Sequence, residues 1–576
     1  MEQWLLMRKG ADFEAISEKH GISQVLARVI RNRDVEGDEA IKEYLHGTLS
    51  DLAEGNFMKD MQKGVGILAQ AVRDHKKIRV IGDYDCDGVN SSYILETGIR
   101  MLGGHVDTDI PHRITDGYGI STGLIDKAIE DGVETVITCD NGISALTPIR
   151  YGKEKGLTIV VTDHHEVPYE EDVDGSRKFF VPEADAVIDP KQEDCFYPFK
   201  ELCGAAVAWR FVRELFKAFD RDEKETDFMI ENVAIATVAD VMDLKGENRI
   251  LVREGLKRLS ETKNEGLKAL MKVTDVDPKT LKAYQIGFVI GPCINASGRL
   301  DTASRALDLL KETDPDVALK MAKELKNLNY ERRMLTEEAA KEAIEQAETY
   351  DEDRVLVIYL PEVHESIAGI VAGRVREKYN KPVFVLTDTE GGLVKGSGRS
   401  IETYSMYEEM NGVKDVFTKF GGHPMAAGLS LPKENVKLFR RRINKSCSLT
   451  ENDMKEKVRI DMMLPLKHLS EGLINEMHML EPYGKGNRRP LFVLKSLRIY
   501  NVRILGKTRN AVKMDAVDAS GTFMNAIYFG SADDFMKNVK KNHGKVEDVR
   551  IACTYYPDIN EYRGRRTLQI VIQNYK

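Results

Sequence analysis

Four short apolar runs, IRVIG (78–82), TVITC (135–139), TIVVT (158–162) and ADAVIDP (184–190), lack the polar alternation of a half-exposed strand. Helical patterns such as NSSYILETGIRML (90–102) separate them. Strands that are apolar on both faces and alternate with helices predict a parallel sheet covered by helices on both sides, so this region is α/β. In such open sheets ligands gather outside the carboxyl ends of the strands. Those ends are polar here: Asp83, Asp85 and Asp87 follow the first strand, Asp140 the second, and Asp163, His164 and His165 the third. A helical stretch, NVAIATVADVMDL, adds Asp240 at the end of an otherwise apolar run.

Several carboxylates meeting at one sheet edge repel one another and lose hydration, so either their pKa values rise or cations lie between them. Carboxylates with one or two imidazoles suit Mn²⁺ or Mg²⁺. Two such ions bridged by an aspartate clamp a phosphoryl oxygen and activate water, which implies phosphoester hydrolysis. Simpler readings exist for each element. An aspartate after a strand often only caps the next helix. An EF-hand loop is excluded: counted from Asp83, the twelfth position is Ile94 rather than a glutamate, and a strand precedes the run.

At 576 residues the chain exceeds one core, since domains hold roughly 100–200 residues. The formal charge of −9 places any nucleic-acid contact in a local basic groove rather than over the whole surface. No apolar run reaches the length of a membrane span, and the first residues carry no signal-peptide pattern, so a soluble cytoplasmic protein is expected. Seven scattered cysteines without a C-x-x-C pair fit a reducing compartment. The start of the chain reads as amphipathic helices, ISQVLARVIRN and GVGILAQAVRDH among them. Residues 302–349, rich in Ala, Leu, Lys and Glu and interrupted only at Pro315, predict long connector helices. RVLVIYL and KPVFVLTD flank the helix SIAGIVAGRVREKY in a second α/β unit, and the strand-like runs after about residue 455 predict a small antiparallel barrel of the OB type.

GDYDCDG, DNGIS, TDHH and ADVMDL stand in the order of the first four motifs of the DHH phosphoesterase superfamily, and the chain closely resembles its bacterial RecJ branch of single-stranded-DNA exonucleases. The likeness continues through PHRITDGYG, GPCINASGRL, HESIAGIVAGRV, GSGRS, GGHPMAAG and PYGKGNRRPLF. It implies a helical lead-in at 1–60, a DHH catalytic domain at 61–301, a helical connector at 302–350, a DHH-associated domain at 351–450 and an OB-type nucleic-acid-binding domain at 451–576. Carried over residue by residue, it makes Asp85, Asp87, Asp140, His164 and Asp240 ligands of two divalent ions, Mn²⁺ or Mg²⁺, with Asp140 bridging. Asp83 ligates or orients, and His165 faces the scissile phosphate as a donor. Ser397 and Arg399 in GSGRS and His423 in GGH surround a terminal 5′-phosphate, while Arg113 and Arg299 contact the DNA backbone.

The implied activity is 5′ to 3′ hydrolysis of single-stranded DNA to mononucleotides in repair and recombination. A monomer is expected, with a helicase or single-strand-binding protein as possible partners. Arg488, Arg489, Arg503, Lys507, Arg509, Lys513, Arg563, Arg565 and Arg566, with Tyr500, Tyr555 and Tyr562 among them, suit a backbone groove with stacking platforms. Val363 and Ser366 depart from the usual tryptophan and glycine beside His364. The alternatives are a DHH enzyme of small substrates, such as oligoribonucleotides, phosphoadenosine phosphate or cyclic dinucleotides, and a non-catalytic scaffold that keeps the fold.

Overall fold

The computed structural model describes residues 2–171, 174–350, 352–389, 392–562 and 564–576. The apolar runs form a five-stranded, wholly parallel sheet in the order His105–Asp109, Lys77–Ile81, Thr135–Cys139, Thr158–Thr162, Ala186–Ile188. Helices cover both faces. Cys86–Met101 and Gly204–Lys217 pack one side through Val89, Ile94, Trp209 and Phe211, all fully buried. Ile125 and Ile149, from Thr122–Glu130 and Leu146–Glu154, seal the other.

Pro315 does not interrupt a helix but begins one, at the first turn where its missing N–H is harmless. Asp314 caps it, accepting from Asp316 N at 2.9 Å and Val317 N at 3.0 Å. The resulting helix, Pro315–Glu348, has 34 residues and serves two cores in turn. Ala318, Ala322 and Leu325 pack on the catalytic unit, and Ala339, Ala340, Ala343 and Ala347 on the next one. That second unit is a mixed five-stranded sheet, Lys419–His423, Ala426–Pro432, Leu393–Arg399, Val383–Asp388, Leu356–Tyr359, in which only the last pair is parallel.

The C-terminal strands close on themselves. Phe492–Leu505 pairs with Ala511–Asp518, which pairs with Phe523–Phe529, which runs parallel to Arg565–Tyr575; that strand pairs with Val549–Tyr562, which returns to Phe492–Leu505. Closure leaves no free edge in this small barrel.

The start of the chain differs from the all-helical expectation. Helices Gln24–Asn32 and Met61–Arg73 follow the periodicity, but Glu2–Leu6 is a strand, parallel to Glu456–Ile460. Its partner lies near the other end of the chain, so no local pattern announces it. Leu26, Ile30 and Leu45 share a core with Phe492 and Leu497 of the barrel. A buried bidentate pair, Arg33 to Asp461 at 2.6 and 3.1 Å, fastens the same joint. All seven cysteines are free and buried. Among the described residues no helix is long and apolar enough to cross a membrane.

Candidate active site

Strand order reverses beside Lys77–Ile81, between His105–Asp109 and Thr135–Cys139, and a crevice opens at that strand's carboxyl end. Asp83 is buried just past it. Asp85 caps the next helix, its Oδ1 accepting from Asp87 N at 2.9 Å and Gly88 N at 3.0 Å. The capping reading is therefore true of Asp85, and it leaves Oδ2 free for the crevice. Asp87 crosses to the start of helix Gly204–Lys217, where Gly204 N and Ala205 N each donate to it at 2.7 Å, an arrangement the helix dipole favours.

Asp140 turns into the crevice through a left-handed backbone, φ +61°. Gly204 permits its approach: a Cβ at Gly204 would stand 2.7 Å from the Asp140 Cβ. Asn141 ties the two strand ends together, donating to Ile81 O at 3.1 Å and Cys139 O at 2.9 Å. Asp163 accepts from Ile143 N at 2.9 Å, from His164 N at 2.7 Å and from His165 Nδ1 at 2.8 Å, so it aims the two histidines. His164 Nε2 then lies 2.9 Å from Asp140, 3.6 Å from Asp87 and 3.9 Å from Asp240. Asp83, Asp85 and Asp140 bring one oxygen each within 4.8 Å of one another. The strand ends thus converge, with Asp240 joining from the end of helix Ile230–Ala239.

The electrostatics of this cluster are unbalanced. Burial first, then Asp85, raises Asp83 well above the usual carboxylate range and lifts Asp87 to about 7. Burial and the surrounding aspartates raise Asp140 and Asp240 as well. Burial and the adjacent His165 push His164 down to about 3, which leaves a neutral imidazole. Burial opposes charge on His165, yet the Asp163 carboxylate outweighs it and raises the ring to about 9. Tyr118 donates to Asp140 O at 3.1 Å, and its oxygen lies 3.1 Å from His165 Nε2, where it accepts from the protonated ring.

Across the crevice, a cavity of about 440 Å³ separates Tyr84, Arg113 and Tyr118 from Ser397 and the strands Leu393–Arg399, Lys419–His423 and Ala426–Pro432. Arg113 stacks on Tyr84, 4.6 Å from the ring centre. Arg299 Nη1 donates to Ser366 O at 2.7 Å, and burial with Arg113 nearby lowers it to about 10. Arg399 is lowered by burial, Arg113 and Arg376. His423 sits at the strand's exposed end and outside this cavity. His364 caps helix Glu365–Tyr379, accepting from Ser366 N at 3.3 Å, so Ser366 gives this histidine a structural partner.

On the other flank, beginning at Val241, a groove of about 1130 Å³ runs between the catalytic unit and residues 478–489. Exposed Tyr284 and Phe288 stack there at 4.7 Å, and Lys279, Arg488 and Arg489 line it. Arg488 and Arg489 also line a cavity of about 430 Å³ that reaches Tyr556 on the barrel. Sequence reasoning missed this groove, because exposed aromatics in an otherwise ordinary helical stretch give no periodic signal. Tyr118 was within reach, standing inside PHRITDGYG. The barrel platform needs one correction: Tyr555 is fully buried, donates to Leu464 O at 2.5 Å and belongs to the core, so it offers no face to a base. Arg509 and Arg566 are paired with Asp533 and Glu471. Arg563 and the Tyr562 side chain lie outside the described residues.

Three family models match: the DHH family N-terminal domain at 77–239, the DHHA1 domain at 352–449 and the RecJ OB domain at 460–574. The chain is 31% identical over 577 residues to the single-stranded-DNA-specific exonuclease RecJ of Bacillus subtilis, covering 99% of this chain and 70% of that protein. It is 32% identical over 597 residues to the protein of the same description from Escherichia coli, covering 100% and 99%. Among solved structures, RecJ in complex with Mn²⁺ from Thermus thermophilus superposes with a TM-score of 0.83 at 26% identity, covering 100% of this chain and 79% of that one.

Proposed function

The chain belongs to the RecJ family of DHH phosphoesterases, and from that premise we propose how it works as a metal-dependent exonuclease on single-stranded DNA. The observation that carries the reading is the convergence of Asp87, Asp140 and Asp240 on His164 Nε2, within 3.9 Å. The donor set fits Mn²⁺ or Mg²⁺: hard oxygens with one neutral imidazole whose Nε2 faces them, and buried Asp83 Oδ1 without a hydrogen-bond partner. Asp85, Asp87, Asp140, His164 and Asp240 would hold two such ions, which would offset the clustered carboxylates and supply Lewis-acid activation of phosphate and water.

The side chains do the rest. Asp83, held up by burial, keeps a proton or passes it on beside Asp85. His165, raised to about 9 and fixed by Asp163, sets a positive ring beside the oxygens on which charge develops, its Nε2–H shared with Tyr118 Oη. Ser397, Arg399, Arg299 and Arg113 form a cationic end for a terminal 5′-phosphate, whose extra charge they favour over an internal diester. His423 contributes from the strand end. The Tyr284–Phe288 groove, continuing to Arg488, Arg489 and Tyr556, stacks and steers the strand that follows. Release of mononucleotides in the 5′ to 3′ direction follows.

Within this reading the protein acts in the cytoplasm as a monomer, in repair and recombination, on strands supplied by a helicase or presented by a single-strand-binding protein. The domain division at 61–301, 302–350, 351–450 and 451–576 is part of the proposal, with the first 46 residues assigned to the barrel. Product analysis on end-labelled single- and double-stranded DNA, with Mn²⁺, Mg²⁺ or chelator, tests it. Mononucleotides from the 5′ end of single strands, and none in chelator, are expected. Rapid hydrolysis of dinucleotides with long oligonucleotides left intact would favour the small-substrate alternative.

A further inference from the structure

Two turns from distant parts of the chain meet beside Asp240. The first, residues 240–244, ends helix Ile230–Ala239. Its Val241 has φ +58°, a left-handed backbone that a β-branched residue keeps only where its surroundings impose it. The second is PYGKGN, residues 482–487, at the joint between barrel and catalytic unit, where its outer side walls the groove and Gly486 and Asn487 face inward. Leu244 N donates to Lys485 O at 2.8 Å. Lys485 Nζ lies 3.6 Å from Asp243 Oδ1. Gly486 has φ +73°, and a Cβ there would stand 2.9 Å from the Asp243 carboxyl carbon.

The loop is itself held from behind. Buried Asn487 donates to Leu480 O at 2.7 Å and Pro482 O at 2.8 Å, and accepts from Tyr44 Oη at 2.7 Å. Arg249, also buried, donates to Tyr44 O at 2.9 Å and to Met479 O and Leu480 O at 2.8 Å each, with its guanidinium 4.1 Å from the Tyr44 ring centre. The adjacent Asn248 faces the other way, donating to Asp243 O at 3.2 Å and Glu201 O at 2.5 Å. Glu201 leads directly into Gly204, whose amide holds Asp87. Two neighbouring side chains thus connect the seat of the barrel to the turn that carries Asp240 and to the segment whose amides hold Asp87.

We propose that the PYGKGN loop, acting with Asn248 and Arg249, is a positioning element of the metal centre: the seating of the barrel on the catalytic unit sets where Asp240 and Asp87 stand. The inference rests on the assignment of those two aspartates as metal ligands. It makes Gly486, Asn487, Asn248 and Arg249 positioning residues, none of them touching substrate.

The test uses the full chain and Mn²⁺ alone, with free Mn²⁺ followed by electron paramagnetic resonance. Binding of a 5′-phosphorylated oligonucleotide in chelator is measured in parallel by fluorescence anisotropy. Gly486→Ala and Asn487→Ala are expected to weaken Mn²⁺ binding about tenfold, the range found for groups that orient metal ligands, and Asn248→Ala, which does not line the groove, to do the same while its oligonucleotide binding in chelator changes less than about twofold. Unchanged Mn²⁺ affinity in Gly486→Ala, with Asp240→Ala weakened, would overturn the inference and leave the ligand assignment standing. Equal losses of metal and oligonucleotide binding in Asn248→Ala would also overturn it, since general loosening of the fold predicts that. Mn²⁺ binding by Asp240→Ala equal to the parent's would remove the ligand assignment, and the inference with it. Thermal unfolding checks that each variant is folded; should Asn487→Ala unfold, Gly486→Ala decides.

Discussion

The two walls of the crevice carry opposite charge and the same problem. On one, buried Asp83, Asp87 and Asp140 stand with half-buried Asp240 and their carboxyls are raised. On the other, Arg299 and Arg399 are half-buried near Arg113 and their guanidinium groups are lowered. Each wall disfavours its own ionised form because like charges share a poorly hydrated space. Yet they do not neutralise one another: no carboxylate–guanidinium ion pair spans the crevice among the described residues. In the proposed reading the acidic wall takes cations and the basic wall an anion, each where the protein leaves charge unmatched.

Removing charge from either wall breaks that comparison in different ways. Asp140→Ala, which deletes the carboxylate shared by the cluster, should lower metal-dependent nucleotide release by about 10³-fold or more, on the scale of a lost transition-state electrostatic group. Single-turnover assays on end-labelled single strands measure it. Arg399→Ala should cost about 30-fold in kcat/KM on a 5′-phosphorylated strand, the equivalent of ~2 kcal/mol for a charged hydrogen bond, and far less on a 5′-hydroxyl strand. Equal losses on the two substrates would show that the basic wall does not read the terminal phosphate.

The remaining two sharpen the contrast. Tyr284→Ala, in the groove that neither wall includes, should weaken single-strand binding roughly tenfold, as loss of one stacked base predicts, and leave dinucleotide hydrolysis unaltered. Anisotropy titrations and product assays read both. The smallest effect concerns pH. Asp87 is raised to about 7 in the folded protein, so the native state holds a proton that the unfolded chain releases near 4. Stability without metal should therefore fall as pH rises from about 4 through 7, by the linkage sign for a group with a raised folded pKa. Mn²⁺ should reverse the slope by binding the ionised form, and thermal unfolding in chelator and in Mn²⁺ across that window shows both.

Much of the acidic wall was legible in the sequence because a strand's carboxyl end is a local address. Asp83, Asp85, Asp87, Asp140 and His164 each follow an apolar run directly, and parallel pairing sends those ends to one edge. Asp163 shows where this reasoning stops. It occupies the same kind of position, yet its side chain turns back to Ile143 N and the histidines instead of joining the cluster. The groove and the joint were not legible. Tyr284 faces a loop about 200 positions away across the groove, Arg249 and Asn487 both bond to distant Tyr44, and Tyr555 passed for a surface platform until closure of the barrel put it inside.

By itself, the order of apolar runs and acidic ends determined that the protein has a parallel sheet with a polyanionic edge, and the motif series determined its family. Only the tertiary structure decided which aspartates meet on one imidazole, that the first strand completes the barrel's end of the molecule, and that the barrel is seated through Arg249 against the turn bearing Asp240. Periodicity and strand ends are set by neighbours in the chain. Convergence depends on hydrogen bonds between segments tens to over a hundred residues apart and seating on ones that span hundreds, which no short stretch of sequence encodes.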